Sequence, residues 1–283
     1  MIQVPKGALI ALSVSGWGGQ VSYATENTQV RRVVDICPRE FLAPLVQARG
    51  VVYRCLEGVS LPFPVRGVRY VPEDLIPQAE QKLQEARIGL EEAAYEFTSD
   101  ENWAAMLGAS RATLGALFPA SKIPDQEEVR NSFKVHFSVF SVEASPFSVT
   151  GALGVQDLLE QFRAEAYQTL VSQFHDLLEG MSRRLREGKR FHVSTVAKLG
   201  SWLDTFPALA SAISGGTEAR DLSDVRRIVD QAKMCLQGVV PEDLRTSATL
   251  RESVGGMMDT AISQLIEVAG PSINSIGRRG INI

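Results

Sequence analysis

Apolar and polar positions along the chain change period several times, and each change predicts an element. Gly7–Ser15 is an apolar run rich in Leu, Ile and Val that ends at Gly16, the pattern of a buried strand. In Phe133–Val139, Phe133, Val135, Phe137 and Val139 alternate with Lys134, His136 and Ser138. That period of two predicts a strand. Strand backbone groups need a neighbour, so these two strands are expected to pair with each other. Gly67–Val71 is a third, shorter candidate.

Other segments take helical spacing. Polar residues run to about Asn27, and the apolar positions beyond them fall three and four apart. Pro38 and Pro44 do not both fit inside one straight helix, so each is expected in the first turn of its own segment. Leu45, Val52 and Leu56 mark one face of a helix ending near Gly58, and Leu61–Pro64 reads as an apolar turn. Asp74 is expected to cap a helix with the stripe Leu75, Ala79, Leu83, Ala86, Leu90, Ala93 and Phe97. Gly108, Gly115, Pro119 and Pro124 predict a loop-rich middle.

From Gly151 onward the pattern is helical almost throughout. A long helix is expected from about Val155 to Glu187, with Leu159, Phe162, Ala166, Leu170, Phe174, Leu177, Met181 and Leu185 on one face. At 1.5 Å per residue it would span roughly 45–50 Å, the length of a bundle spine or of a coiled-coil contact with another chain. Ser194 is expected to cap the next helix, which carries Leu199, Leu203 and Phe206 and breaks near Pro207. Ser214-Gly215-Gly216 reads as a turn. A helix through Leu222, Val225, Val229, Ala232 and Leu236 stops at Gly238. Pro241 opens the last helix, with the stripe Val254, Met258, Ala261, Leu265 and Val268, and residues 271–283 read as an extended tail.

The predicted fold class is α+β, mostly α with a small antiparallel or mixed sheet and a long-helix bundle in the C-terminal half. The expected division is a mixed α/β portion over 1–150, a helical bundle over 151–270 and the tail.

Composition sharpens this only by exclusion. In 283 residues, 45% are hydrophobic and 22% charged, which is ordinary for a globular chain. A net charge of −4 argues against a surface that is basic throughout, though not against a local basic patch. Cys37, Cys55 and Cys235 are odd in number and lack CxxC spacing, so they are expected to be small buried hydrophobes in a reducing, cytoplasmic compartment. There is no N-x-S/T sequence, and no apolar stretch reaches the roughly 18 residues of a membrane span. Ala8–Val14 follows Pro5 and Lys6 and runs into Ser15-Gly16-Trp17-Gly18-Gly19, which suits a buried strand better than a signal peptide.

Motifs for chemistry fail one by one. Gly188-Lys189 lacks the upstream glycine and following Ser or Thr of a P-loop. Gly16-Trp17-Gly18-Gly19 would need a glycine at Val21 to match a dinucleotide-binding turn. His136, His175 and His192 are dispersed, and His175 has only Asp176 beside it and Glu179 one helical turn on. No GxSxG, HExxH or kinase set occurs. No catalytic residue, cofactor or metal is therefore expected.

One segment stands out. Arg183, Arg184, Arg186, Lys189 and Arg190 put five cations into eight residues, followed by His192. Cations favour the negative end of a helix dipole, which explains part of the cluster. The other reading is contact with an anion, either nucleic-acid phosphate or an acidic face of a partner. Arg226, Arg227, Arg278 and Arg279 would join it if the fold brought them close.

Several stretches carry a resemblance. Cys55, Leu61-Pro62-Phe63 and Gly67-Val68-Arg69-Tyr70-Val71-Pro72 are among them, as is Gly188-Lys189-Arg190-Phe191-His192-Val193-Ser194-Thr195-Val196. Leu203-Asp204-Thr205-Phe206, Leu236-Gln237-Gly238-Val239, and Leu244-Arg245 with Arg251 complete the set. Over nearly the whole chain, these residues resemble an uncharacterised bacterial and phage family, a domain of unknown function often encoded near MoxR-type AAA+ ATPases and von Willebrand A-type proteins. The segment Ser211–Glu218, glycine-rich here, departs from the pattern. The resemblance implies no catalytic or ligand-binding residue.

Two function classes follow, with an enzyme of unrecognised type third. The first is a non-enzymatic protein-interaction or assembly component, self-associating or acting as an adaptor of a MoxR-type AAA+ ATPase. The second is a nucleic-acid-binding protein that uses Arg183–Arg190. No membrane partner is expected.

Overall fold

The computed structural model describes residues 6–24, 31–140, 149–187, 193–214 and 222–269. As expected, the fold is α+β, mostly α, with a small antiparallel sheet and long C-terminal helices. The chain forms two compact units that interleave along the sequence. One takes 1–9, 58–76 and 140–283, and the other takes 10–57 and 77–139. Strand β1 (Gly7–Ser15) runs through both, so no single cut in the chain separates them. The four-stranded sheet has the order β4-β5-β1-β6.

In the unit of 10–57 and 77–139, β2 (Gln20–Ala24) and β3 (Arg31–Asp35) form an antiparallel hairpin pairing Gln20 with Asp35 and Ala24 with Arg31. This replaces the helical spacing expected after Asn27. The run Arg31–Asp35 is short and rich in valine, and over five residues helical and strand spacing look alike. Gly19 closes the ladder: its carbonyl accepts from Ile36 N at 2.8 Å and Cys37 N at 3.1 Å. Its φ is +76°, and a Cβ there would stand 2.8 Å from Leu42 Cδ1. Glycine is required on both counts.

Helix α1 (Arg39–Arg54) contains Pro44 in its interior, so the expectation that Pro44 opens its own segment is corrected. Pro44 lies on the exposed side, where water can take the place of the bond its missing N–H would make. On the other face, Leu45 and Val52 are buried, and Leu56 is buried just past the helix end. Helix α2 (Ile76–Phe97) buries Ala79, Leu83, Ala86, Leu90, Ala94 and Phe97, with Ala94 instead of Ala93 at the core. Asp74 sits in a 3-10 turn, Glu73–Leu75, and makes no side-chain cap.

The middle expected to be loops is largely helical. In α3 (Asp100–Leu114), Ser99 accepts from Asn102 N and two acids stand in the first turn. In α4 (Gln126–Ser132), Asp125 and Glu128 form a reciprocal capping box. Gly108 and a buried serine hid α3, because Ser110 occupies a core position of the stripe begun by Trp103 and Met106. Its hydroxyl is satisfied by the Ile36 and Met106 carbonyls. β6 (Lys134–Phe140) follows α4. The core gathers Val14, Leu45, Val52, Leu90, Met106, Val129 and Phe133. Phe97 and Trp103 belong to it and meet edge to face, and Trp17 packs tilted against both, with 5.8–6.1 Å between ring centroids.

In the other unit, β4 (Leu61–Pro62) pairs antiparallel with β5 (Val68–Pro72), so the expected turn at Leu61–Pro64 begins as a strand. The backbone of Gly7 runs against Val71, where a Cβ would overlap the Val71 carbonyl oxygen. Helix α5 (Val149–Arg186) is longer than expected, 38 residues or roughly 57 Å. It packs along α6 (Val193–Ile213) and α9 (Ala248–Ala269), and α7 (Ser223–Leu236) also packs on α9. Phe162 lies 5.5 Å from Phe63 and 5.1 Å from Tyr70, which seats α5 on the β4–β5 ladder. Leu178 and Ala269 are buried where the sequence pointed to their neighbours Leu177 and Val268.

Two helix boundaries are corrected here. Helix α6 continues through Pro207, and Ser194 is its second residue, not its cap. Pro207 is exposed, while Leu209, Ala210, Ala212 and Ile213 beyond it are buried, so tertiary packing holds the helix past the break. Pro241 opens a separate short helix, α8 (Pro241–Thr246), and α9 starts afresh after Ser247. Gly215-Gly216 and the tail 271–283 lie outside the described residues. No described helix is long and apolar enough to cross a membrane.

Candidate functional site

Three residues of the basic segment stand in the last turn of α5, where a cation meets the negative end of the helix dipole. Arg184 donates from Nη1 to Thr195 Oγ1 on α6. Arg186 pairs through Nη2 with Asp259 Oδ2 on α9, whose other oxygen accepts from Ser182 Oγ at 2.6 Å. The Arg186 guanidinium beside Asp259 holds its carboxyl below the usual value; partial burial opposes this, and the Ser182 hydroxyl supports it. Two of the three arginines thus tie α5 to its neighbours, and Arg183 is exposed. Lys189, Arg190 and His192 lie outside the described residues, as do Arg278 and Arg279. Arg226 donates to Ser214 Oγ at 3.2 Å, and Arg227 pairs with Asp224 at 3.7 Å. No hydrogen bond or ion pair among the described residues joins either to the end of α5.

His175, Asp176 and Glu179 keep their polar atoms within 4.8 Å of one another, and His175 Nδ1 is 3.7 Å from Asp176 Oδ1. They are neighbours on one helix, the two carboxylates are exposed, and no ligand from a second element completes the set among the described residues. Cys37 is buried, and burial, with Glu40 adding, pushes its thiol up to about 12, leaving it neutral and unreactive. Burial, with Glu73 adding, also raises Tyr70, whose Oη donates to the Lys6 carbonyl at 2.6 Å. These buried groups serve the fold.

A groove between α1 and α2 escaped the sequence reading. It is an open depression of about 590 Å³. Pro44, Ala48, Val51 and Cys55 line it from α1 and the turn after it, and Ala86 and Gly89 line it from α2. Each set follows the three- and four-residue spacing of one helix face. Gln47, Arg54, Glu57, Lys82 and Glu85 supply the polar part of the lining. A methyl on Gly89 would meet no atom within 4 Å, so the groove is open over that glycine. The signal was present in the sequence, but the stripe of larger residues, Leu45, Val52 and Leu56, dominated the reading of α1.

Compared with protein-family models, with curated proteins and with solved structures, the chain matches none.

Proposed function

We propose that the chain is a non-enzymatic protein-interaction or assembly component that seats an apolar helical face of a partner in the α1–α2 groove. The groove carries this reading: its two lining stripes have helical spacing, its floor is small and apolar, and its charges are of both signs. Helix-in-groove recognition uses these features, with apolar anchors for affinity and flanking charges for register. A MoxR-type AAA+ ATPase, named by the resemblance alone, is the first partner to test, and a second copy of the chain is the other.

The test is light scattering on the chain alone and mixed with such an ATPase, repeated with Gly89→Trp, which fills the groove. The wild type is expected to associate, and the variant to lose at least tenfold in ATPase affinity with its unfolding midpoint unchanged. A wild-type monomer that binds no ATPase overturns the reading. The nucleic-acid alternative draws less support, because Arg184 and Arg186 are engaged within the chain.

A further inference from the structure

β6 stands last in the sheet order, next to β1, so among the described residues nothing pairs with its outer edge. Its start is anchored: Phe133 is buried, and Val135 packs partly against the core. Beyond that point every residue is exposed, with Phe137 at 50%, Val139 at 59% and Phe140 at 51%. No other four-residue stretch of the described chain exposes three large apolar side chains. Proteins blunt such edges with charges, proline or bulges. Here the strand carries one charge, Lys134 at its start, and no proline.

We propose that β6 is a self-association edge that pairs antiparallel with β6 of a second copy, about a two-fold axis at Phe137. The register argues for this occupant. Pairing about Phe137 sets Val135 opposite Val139 and Phe137 opposite Phe137, so one face becomes a continuous apolar ladder. On the other face Lys134 stands opposite Phe140, a cation against an aromatic ring, and His136 opposite Ser138. No like charges meet. A parallel in-register pair would instead set Lys134 against Lys134 and His136 against His136. The same patch on both copies closes a dimer and leaves neither β6 edge free, as a two-fold interface allows. This inference rests on the assembly reading above and gives it a surface for self-association distinct from the groove.

Sedimentation equilibrium of the full chain, wild type and Phe137→Lys/Val139→Lys, tests it. The wild type is expected as a multiple of the chain mass and the double variant at half the wild-type mass, with unchanged circular dichroism. Phe137→Cys supplies a second readout: mild oxidation should give a reducible cross-linked dimer beyond the background of Cys37, Cys55 and Cys235. His136→Cys should cross-link far less. A multimeric wild type whose double variant keeps its mass and whose Phe137→Cys form does not cross-link overturns the β6 surface and leaves the assembly reading standing. Equal cross-linking through His136→Cys and Phe137→Cys overturns the antiparallel register. A monomeric wild type overturns self-association altogether, and the ATPase arm of the groove experiment then decides the assembly reading by itself.

Discussion

Asp259 on α9 holds two groups of α5 at once, the Arg186 guanidinium and the Ser182 hydroxyl. Its carboxyl titrates below the ordinary value when folded, with the guanidinium as the main cause. A depressed carboxylate contributes stability above its unfolded pKa, near 3.9, and that contribution is lost as pH falls through the folded value. Asp259→Asn should therefore cost stability at pH 7 and converge with the wild type in acid, once the pH has fallen below the folded value. The arginine side chain is 67% exposed and the aspartate 35%, so the cost should stay within about 1 kcal/mol and shrink in high salt. Urea unfolding at pH 7 and in acid checks this; equal midpoints at pH 7 would show that the pair does no net stabilising.

Pro44 and Pro207 show how packing overrides local preference. Both lie inside helices on exposed positions, and in both cases buried residues continue the helix beyond the proline. An interior proline costs a helix about 3 kcal/mol, while removing it returns roughly 0.4–1 kcal/mol of entropy to the unfolded chain. Pro207→Ala should thus stabilise the protein by about 2 kcal/mol, seen as a higher denaturant midpoint at an unchanged slope. A lower midpoint would mean that the backbone around Pro207 is shaped to the ring. The opposite lesson comes from α3, where Ser99 and two acids form a legible start that the glycines beyond it obscured.

For the molecule as a whole, the end of α5 is a fastening point for α6 and α9. Arg183→Glu/Arg184→Glu/Arg186→Glu is therefore expected to lower the melting temperature, with no nucleic-acid affinity to lose. The purified wild type should show the 260/280 nm absorbance ratio of bare protein. Binding to a duplex whose affinity falls steeply with salt, and is abolished by this variant, would restore the phosphate reading.

The sequence by itself determined the fold class, both long strands and most of the buried face of each long helix. The helix faces rest on period, which local backbone geometry imposes wherever a segment buries one side, whereas β1 shows as an apolar run and β6 alternates with little of it buried. Only the tertiary structure decided the rest. It set which residue at a stripe's edge is buried, as with Leu178 over Leu177, because that depends on the angle at which a neighbour packs. It carried α6 through Pro207, because burial beyond the proline outweighs the lost bond. It made two interleaved units by running β1 through both, a pairing between distant segments that no local window contains. The groove and the bare edge of β6 are likewise properties of assembled elements. Small residues on two helices become a groove only when the helices meet, and a strand becomes an edge only once the sheet order is set.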